Sequence, residues 1–277
     1  MLPNFIVIGA MKSGTTNLCH QLSLHPEIFI SNPKEPCFFS NDDRWQKGLS
    51  WYESHFDAVA KEKAIGEGSV NYSKLMEFPS SAERIRQVFD KELRIIYIVR
   101  NPLDQIRSKW MHMYVAGMTD KDFRQSVLED AHFVDSADYQ LQLEQYRSFI
   151  PDEQIKVLFF EDYMRDPSAV LRDCFAFLGV DESFDHIQLD ENKNTHENRW
   201  GDSPLLATLK KSSVYRSLKK VLPTSLIEKL RPLLQWRLEE KPDYDEQMRL
   251  HLQKHLAKSS SEFLVQYGKP ADFWKGF

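Results

Sequence analysis

The chain of 277 residues has only three cysteines, ten glycines and thirteen prolines. Cys19, Cys37 and Cys174 are odd in number and lack metal-ligand spacing, which argues against a disulfide framework and points to free thiols in a reducing compartment. The modest glycine and proline counts exclude a collagen-like or low-complexity chain. No apolar run approaches the ~20 residues that span a bilayer, and the N-terminus enters its first strand-like segment without a signal-peptide pattern. The expectation is a soluble, cytoplasmic protein. There is no excess of positive charge either. Lys and Arg number 36 against 41 Asp and Glu, and a net charge of -5 argues against a general nucleic-acid binder while allowing basic groups to cluster at one site. Internal repeats are absent.

What remains is an ordinary globular composition, 42% hydrophobic and 28% charged, long enough for a substantial core and read as one domain. Its organising stretch comes first. Phe5-Ile6-Val7-Ile8 reads as a buried strand, Gly9-Ala10-Met11-Lys12-Ser13-Gly14 as a turn, and Leu18, Gln21 and Leu22 begin a helical repeat. Gly9 and Gly14 allow backbone amides to converge on an anion at the positive end of the following helix. The spacing matches G-x-x-x-x-G-K-[ST] through Gly9, Gly14 and Thr16, but Thr15 stands where the lysine belongs. The loop's lysine is Lys12, two places before the second glycine, so it would lie beside the first phosphate and against the bond to whatever that phosphate carries.

Further along, Asn32-Pro33-Lys34-Glu35-Pro36-Cys37-Phe38-Phe39 reads as an extended loop holding a charged pair between prolines. Arg94-Ile95-Ile96-Tyr97-Ile98-Val99 reads as a strand buried on both faces. It runs into Arg100-Asn101-Pro102 and a helix, which puts Arg100 in the crevice where an open parallel sheet binds its ligand. Ser108 lies one helical turn beyond Asp104 on a face adjoining Arg100. Strand Ile155–Phe160 leads to a helix capped by Asp166, started by Pro167 and stopped near Gly179. A last helix is expected near Asp245 to Tyr267. Lys210, Lys211, Arg216, Lys219 and Lys220 suggest a basic amphipathic helix, either a solvated face or a contact for an anionic acceptor or membrane surface.

Lys12-Ser13-Gly14-Thr15-Thr16 behind its strand resembles the 5′-phosphosulfate loop of sulfotransferases that use 3′-phosphoadenosine 5′-phosphosulfate (PAPS). Glu35 ahead of Phe38-Phe39, and Gly48-Leu49-Ser50-Trp51-Tyr52, are similar to the heparan-sulfate type of that family. The resemblance implies Glu35 as catalytic base, with Glu67 and His112 in reserve. It implies Lys12, Ser13, Gly14, Thr15 and Thr16 around the 5′-phosphate, Arg100 and Ser108 on the 3′-phosphate, and a late loop with Lys193 and Arg199 closing over the nucleotide. Glu67-Gly68-Ser69 resembles a segment in which the family carries lysine at the place of Gly68, so one basic contact near the sulfuryl group is missing here. Without a leading Golgi anchor, the chain fits a bacterial-type enzyme or an excised domain.

The expected fold is α/β, with a P-loop-like central parallel sheet flanked by helices and a helical C-terminal region. Residues 1–277 form a single domain, 1–200 being the nucleotide-binding and catalytic core and 201–277 a helical extension. The implied activity is sulfuryl transfer from PAPS to a hydroxyl of a small molecule or glycan, without metal and without nucleic acid. The alternatives are a P-loop kinase or hydrolase, weakened by the missing lysine after Gly14, and a non-catalytic nucleotide-binding module.

Overall fold

The computed structural model describes residues 1–89, 92–184 and 240–276, together with the backbone of 200–202 and 235–237. Five strands make one wholly parallel sheet in the order β2-β3-β1-β4-β5: β1 Phe5–Gly9, β2 Ile28–Ile30, β3 Ala64–Gly68, β4 Arg94–Val99 and β5 Ile155–Phe159. Alternation along the central strands sorts the core into two layers. Ile6 and Ile8 of β1 join Ile95, Tyr97 and Val99 of β4 on one face, while Phe5 and Val7 join Ile96 and Ile98 on the other. Neither face is solvated, and both strands therefore read as unbroken apolar runs.

Helices cover both layers. In chain order they are α1 Thr15–Ser23, α2 Asp42–Trp45, α3 Leu49–Glu53, α4 Ser81–Val88, α5 Pro102–Val115, α6 Phe123–Glu129, α7 Ala131–Asp135, α8 Tyr139–Arg147, α9 Phe160–Arg165, α10 Pro167–Leu178 and α11 Glu246–Gln266. The Asp166 carboxylate accepts from the Ala169 amide, Pro167 opens α10 and Gly179 closes it at φ 75°, as the sequence pattern indicates. Asp245 caps α11 in the same manner. A third apolar cluster lies between α5, α6, α7 and α11, around Ile106, Val127, Phe133 and Leu252.

Two details differ from the sequence reading. Phe160 begins α9 instead of ending β5. In the region expected to be helical, Trp200–Asp202 (β6) pairs antiparallel with Gln235–Arg237 (β7). Three-residue strands are too short to display a period, so composition had no means of marking them. The basic segment at 210–220 lies outside the described residues.

The sheet order places the site. From β1 the chain turns to one side for β2 and β3, then crosses to the other side for β4 and β5. Loops after β1, β3, β4 and β5 therefore open into one crevice at the carboxyl edge of the sheet, the topological switch point of an open α/β fold.

Candidate active site

The loop from Gly9 to Gly14 has the conformation its glycines suggest. Gly14 sits at φ 91° with the Phe160 ring 3.0 Å from where a Cβ would stand, and a Cβ on Gly9 would meet Ser73 Oγ at 2.0 Å. Lys12 itself takes a left-handed φ of 67°. The Ala10 amide donates to the Ile98 carbonyl at 2.6 Å, tying the loop to β4. Gly14 caps α1 without any side-chain hydrogen bond, so no capping group competes for the leading amides of this nine-residue helix. Ser13 and Thr15 are buried, and Thr16 is exposed.

Two cations meet at this loop. Arg100 leaves the end of β4, lies over the Phe160 ring at 4.8 Å and donates from Nη1 to the Lys12 carbonyl at 3.4 Å. Its only described carboxylate neighbour is Asp104, at 3.9 Å. Burial, and then the Arg100 charge, lower the pKa of Lys12 below the ordinary lysine value. Ser108 is buried one turn further along α5. Two neighbouring, largely buried cations and a run of helix amides form a cradle for a multiply charged anion, and a nucleotide carrying separate phosphates has the charge that this donor set requires. Lys193 and Arg199 lie outside the described residues.

Arg100 is held from behind. Its carbonyl accepts from the Tyr139 hydroxyl at 2.7 Å, the Asn101 amide donates to Glu161 Oε1 at 2.7 Å, and Trp274 Nε1 donates to Glu161 Oε2 at 3.3 Å. Glu161 and Asp162 bear that weight: Lys269 bonds the Asp162 carboxylate and brings the C-terminal segment onto the sheet. The role of Trp274 had no local signal, because it depends on a contact more than a hundred residues away.

Glu35 and Glu67 occupy different environments. The Glu35 side chain is 39% exposed and pairs with Lys34 at 3.0 Å. Phe38 and Phe39 turn away into the core, Phe38 stacking on Tyr52 at 4.8 Å, so they do not enclose the carboxylate. Arg44 donates to the Glu35 and Pro36 carbonyls and fixes the backbone of the loop. Glu67 is fully buried: Oε1 accepts from Tyr52 at 3.0 Å and from Tyr72 at 2.8 Å, and Oε2 accepts from Ser69 at 2.5 Å. Ser69 Oγ in turn accepts from the Cys37 amide at 3.1 Å, and the Tyr72 hydroxyl from the Phe39 amide at 3.4 Å. Glu67 thus positions the Glu35 loop through two hydroxyls and has no open path to a substrate. Burial raises its pKa to about 7 despite these hydrogen bonds. His112, on an exposed position of α5, is made less basic first by partial desolvation and then by Lys12 and Lys74, while Glu35 opposes the shift.

A family model for the sulfotransferase domain matches residues 2–238. This chain belongs to the sulfotransferase family. Among its curated relatives is the membrane-associated sulfotransferase kil1 of Dictyostelium discoideum, 36% identical over 112 residues, which are 39% of this chain and 22% of that protein. Heparan sulfate glucosamine 3-O-sulfotransferase 5 of Mus musculus is 34% identical over 101 residues, covering 36% of this chain and 28% of the mouse protein. The mouse bifunctional heparan sulfate N-deacetylase/N-sulfotransferase 3 is 24% identical over 208 residues, 68% of this chain and 23% of its own length. This sulfotransferase chain thus spans between a fifth and three tenths of the relatives it matches. A solved sulfotransferase from Alicyclobacillus acidocaldarius shares its fold, with a TM-score of 0.70 at 24% identity over 99% of both chains. The α/β fold with a central parallel sheet is accordingly the family's. Among the described residues no helix is long and apolar enough to cross a membrane.

Proposed function

We propose that this chain moves a sulfuryl group from PAPS to an acceptor hydroxyl, or less readily an amine, by in-line displacement. The observation that carries this reading is the meeting of Lys12 and Arg100 at the amino end of α1, an arrangement that calls for a polyanion between them. Bound there, PAPS supplies an activated sulfuryl group whose leaving group is a 5′-phosphate. In this reading the α1 amides with Ser13, Gly14, Thr15 and Thr16 hold that phosphate, and Lys12 balances the charge that gathers on it as the bond breaks. Arg100 and Ser108 grip the 3′-phosphate, with Lys193 and Arg199 assigned to the nucleotide on family resemblance. Glu35 takes the proton of the acceptor hydroxyl, which is a small molecule or a glycan, and His112 is the alternative base. Positioning and charge neutralisation make up most of the catalysis, as in phosphoryl transfer, and no metal is assigned.

We read residues 1–277 as one functional unit, with 1–200 as the core. The free thiols Cys19, Cys37 and Cys174 support a reducing, cytoplasmic setting. The membrane association of the relative kil1 supports a peripheral membrane contact through the basic segment at 210–220. A thermal-shift measurement tests the central reading. Marked stabilisation by 3′-phosphoadenosine 5′-phosphate (PAP) without Mg²⁺ is expected, whereas a preference for Mg-ATP would favour a P-loop kinase. Incubation with PAPS and a panel of hydroxyl compounds, read by intact mass, identifies the acceptor.

A further inference from the structure

The resemblance of Glu67-Gly68-Ser69 to a family segment implies a lysine at the place of Gly68, and the structure explains why a side chain is not accommodated there: a Cβ on Gly68 would come within 2.6 Å of Cys19 Sγ. The cation has to come from elsewhere. Lys34 passes close by, its Cε 3.5 Å from that Cβ position, but its ammonium is already paired with Glu35 at 3.0 Å.

Lys74 is placed differently. Beyond β3 the chain makes a tight 3₁₀ turn, Val70–Ser73, whose two ends touch the two halves of the site. Ser73 lies against Gly9 at the start of the phosphate loop, close enough to occupy the space of a Cβ there. Asn71 reaches back to the Glu35 loop, its Nδ2 standing 4.0 Å from Cys37 Sγ. Lys74 comes directly after the turn, is only 7% exposed, and donates from Nζ to Asn71 Oδ1 at 2.8 Å, with the Phe78 ring 5.6 Å away. That is one neutral acceptor for three donors, and among the described residues no carboxylate lies within 4.0 Å of it. The nearby Glu77 is bonded instead to Lys109, at 2.8 Å. A buried ammonium with one hydrogen bond and no contact ion pair is costly unless an anion completes its shell. Glu77, Glu35 and Cys37 act on Lys74 at longer range, and Lys12, Lys74 and Glu35 all act on His112, which puts these groups within electrostatic reach of one another.

Resting on the function proposed above, we infer that Lys74 holds the sulfuryl oxygens of the bound donor between the phosphate loop and Glu35, supplying from position 74 the positive charge that Gly68 lacks. It is a catalytic residue in this arrangement, with Asn71 positioning its ammonium.

Titration calorimetry with PAPS alone and PAP alone tests this without an acceptor, because the two nucleotides differ only in the sulfuryl group. Lys74→Met is expected to weaken PAPS by ~10-fold or more while changing PAP less than about threefold. Equal losses for both nucleotides, no loss for either, or a PAPS-selective loss that appears in Lys34→Met instead would overturn the assignment. If Lys74→Met does not fold, Asn71→Ala carries the test: PAPS weakened by roughly threefold with PAP unchanged supports the inference, and an unchanged PAPS-to-PAP ratio overturns it. Failure of the wild-type chain to bind either nucleotide would instead overturn the proposed function.

Discussion

At the scale of single residues, the site separates charge that binds from charge that reacts. In the proposed reaction Lys12 faces the bond to be broken, so Lys12→Ala should lower turnover ~10²-fold or more in a folded protein; near-normal turnover would remove its role. Arg100, at the end of β4, is the cation the proposed function assigns to a second phosphate. Its replacement by alanine should weaken PAP by ~2 kcal/mol or more, yet hardly affect the analogue lacking the 3′-phosphate, and calorimetry on both decides it. Glu35 keeps 39% of its side chain in solvent beside Lys34, an accessible position for a base. Glu35→Gln should cost ~10²- to 10⁴-fold in transfer with PAP affinity within a few-fold of wild type. Activity retained in that variant and lost in His112→Gln would move the proton to the histidine.

At the scale of elements, the loop bearing Glu35 is only as rigid as its tie to the turn after β3, and the tie runs through Glu67. With a folded pKa of about 7 against an ordinary value of 4.5, this carboxyl binds its proton more tightly in the folded chain. Its contribution to stability is therefore full below about pH 4.5 and is lost as pH rises through about 7, a change on the order of 3 kcal/mol. Chemical denaturation across that range should show stability falling toward neutral pH, and Glu67→Gln should flatten this component of the profile. An identical slope in the variant would mean the carboxyl stays ionised. The proline-bracketed loop was legible in the sequence, but the strand Ala64–Gly68 and the convergence of Tyr52, Ser69 and Tyr72 on one carboxylate were not. Tyr52 comes from α3 whereas Ser69 and Tyr72 come from the turn after β3, and no local pattern encodes their meeting.

At the scale of the whole molecule, the carboxyl edge of the sheet is closed by a segment far away in sequence. Trp274 is 3% exposed, stacks parallel to Phe263 and donates to Glu161, while the Lys275 carbonyl accepts from Asn101 Nδ2 at 2.9 Å. The wall behind Arg100 therefore depends on α11 and the C-terminal residues beyond it. Trp274→Ala should cost about 3–5 kcal/mol of stability and also weaken PAP, since Arg100 loses its backing. A destabilised variant with unchanged PAP affinity would show that the wall and the nucleotide site are independent.

The sequence by itself determined the strands β1, β4 and β5, the glycine-framed loop with its displaced lysine, the strand-end Arg100 and the capped helices α10 and α11. Each of these is a short-range matter of side-chain period, backbone freedom at glycine or a cap within one turn, and such signals survive in a linear reading. Only the tertiary structure decided that Glu67 is enclosed, that Phe38 and Phe39 leave Glu35 in solvent, that Trp274 buttresses Arg100 and that Lys74 reaches the crevice. Burial and electrostatic environment are set by what packs against a residue from other strands and helices, and in a parallel sheet those neighbours are joined by long crossovers.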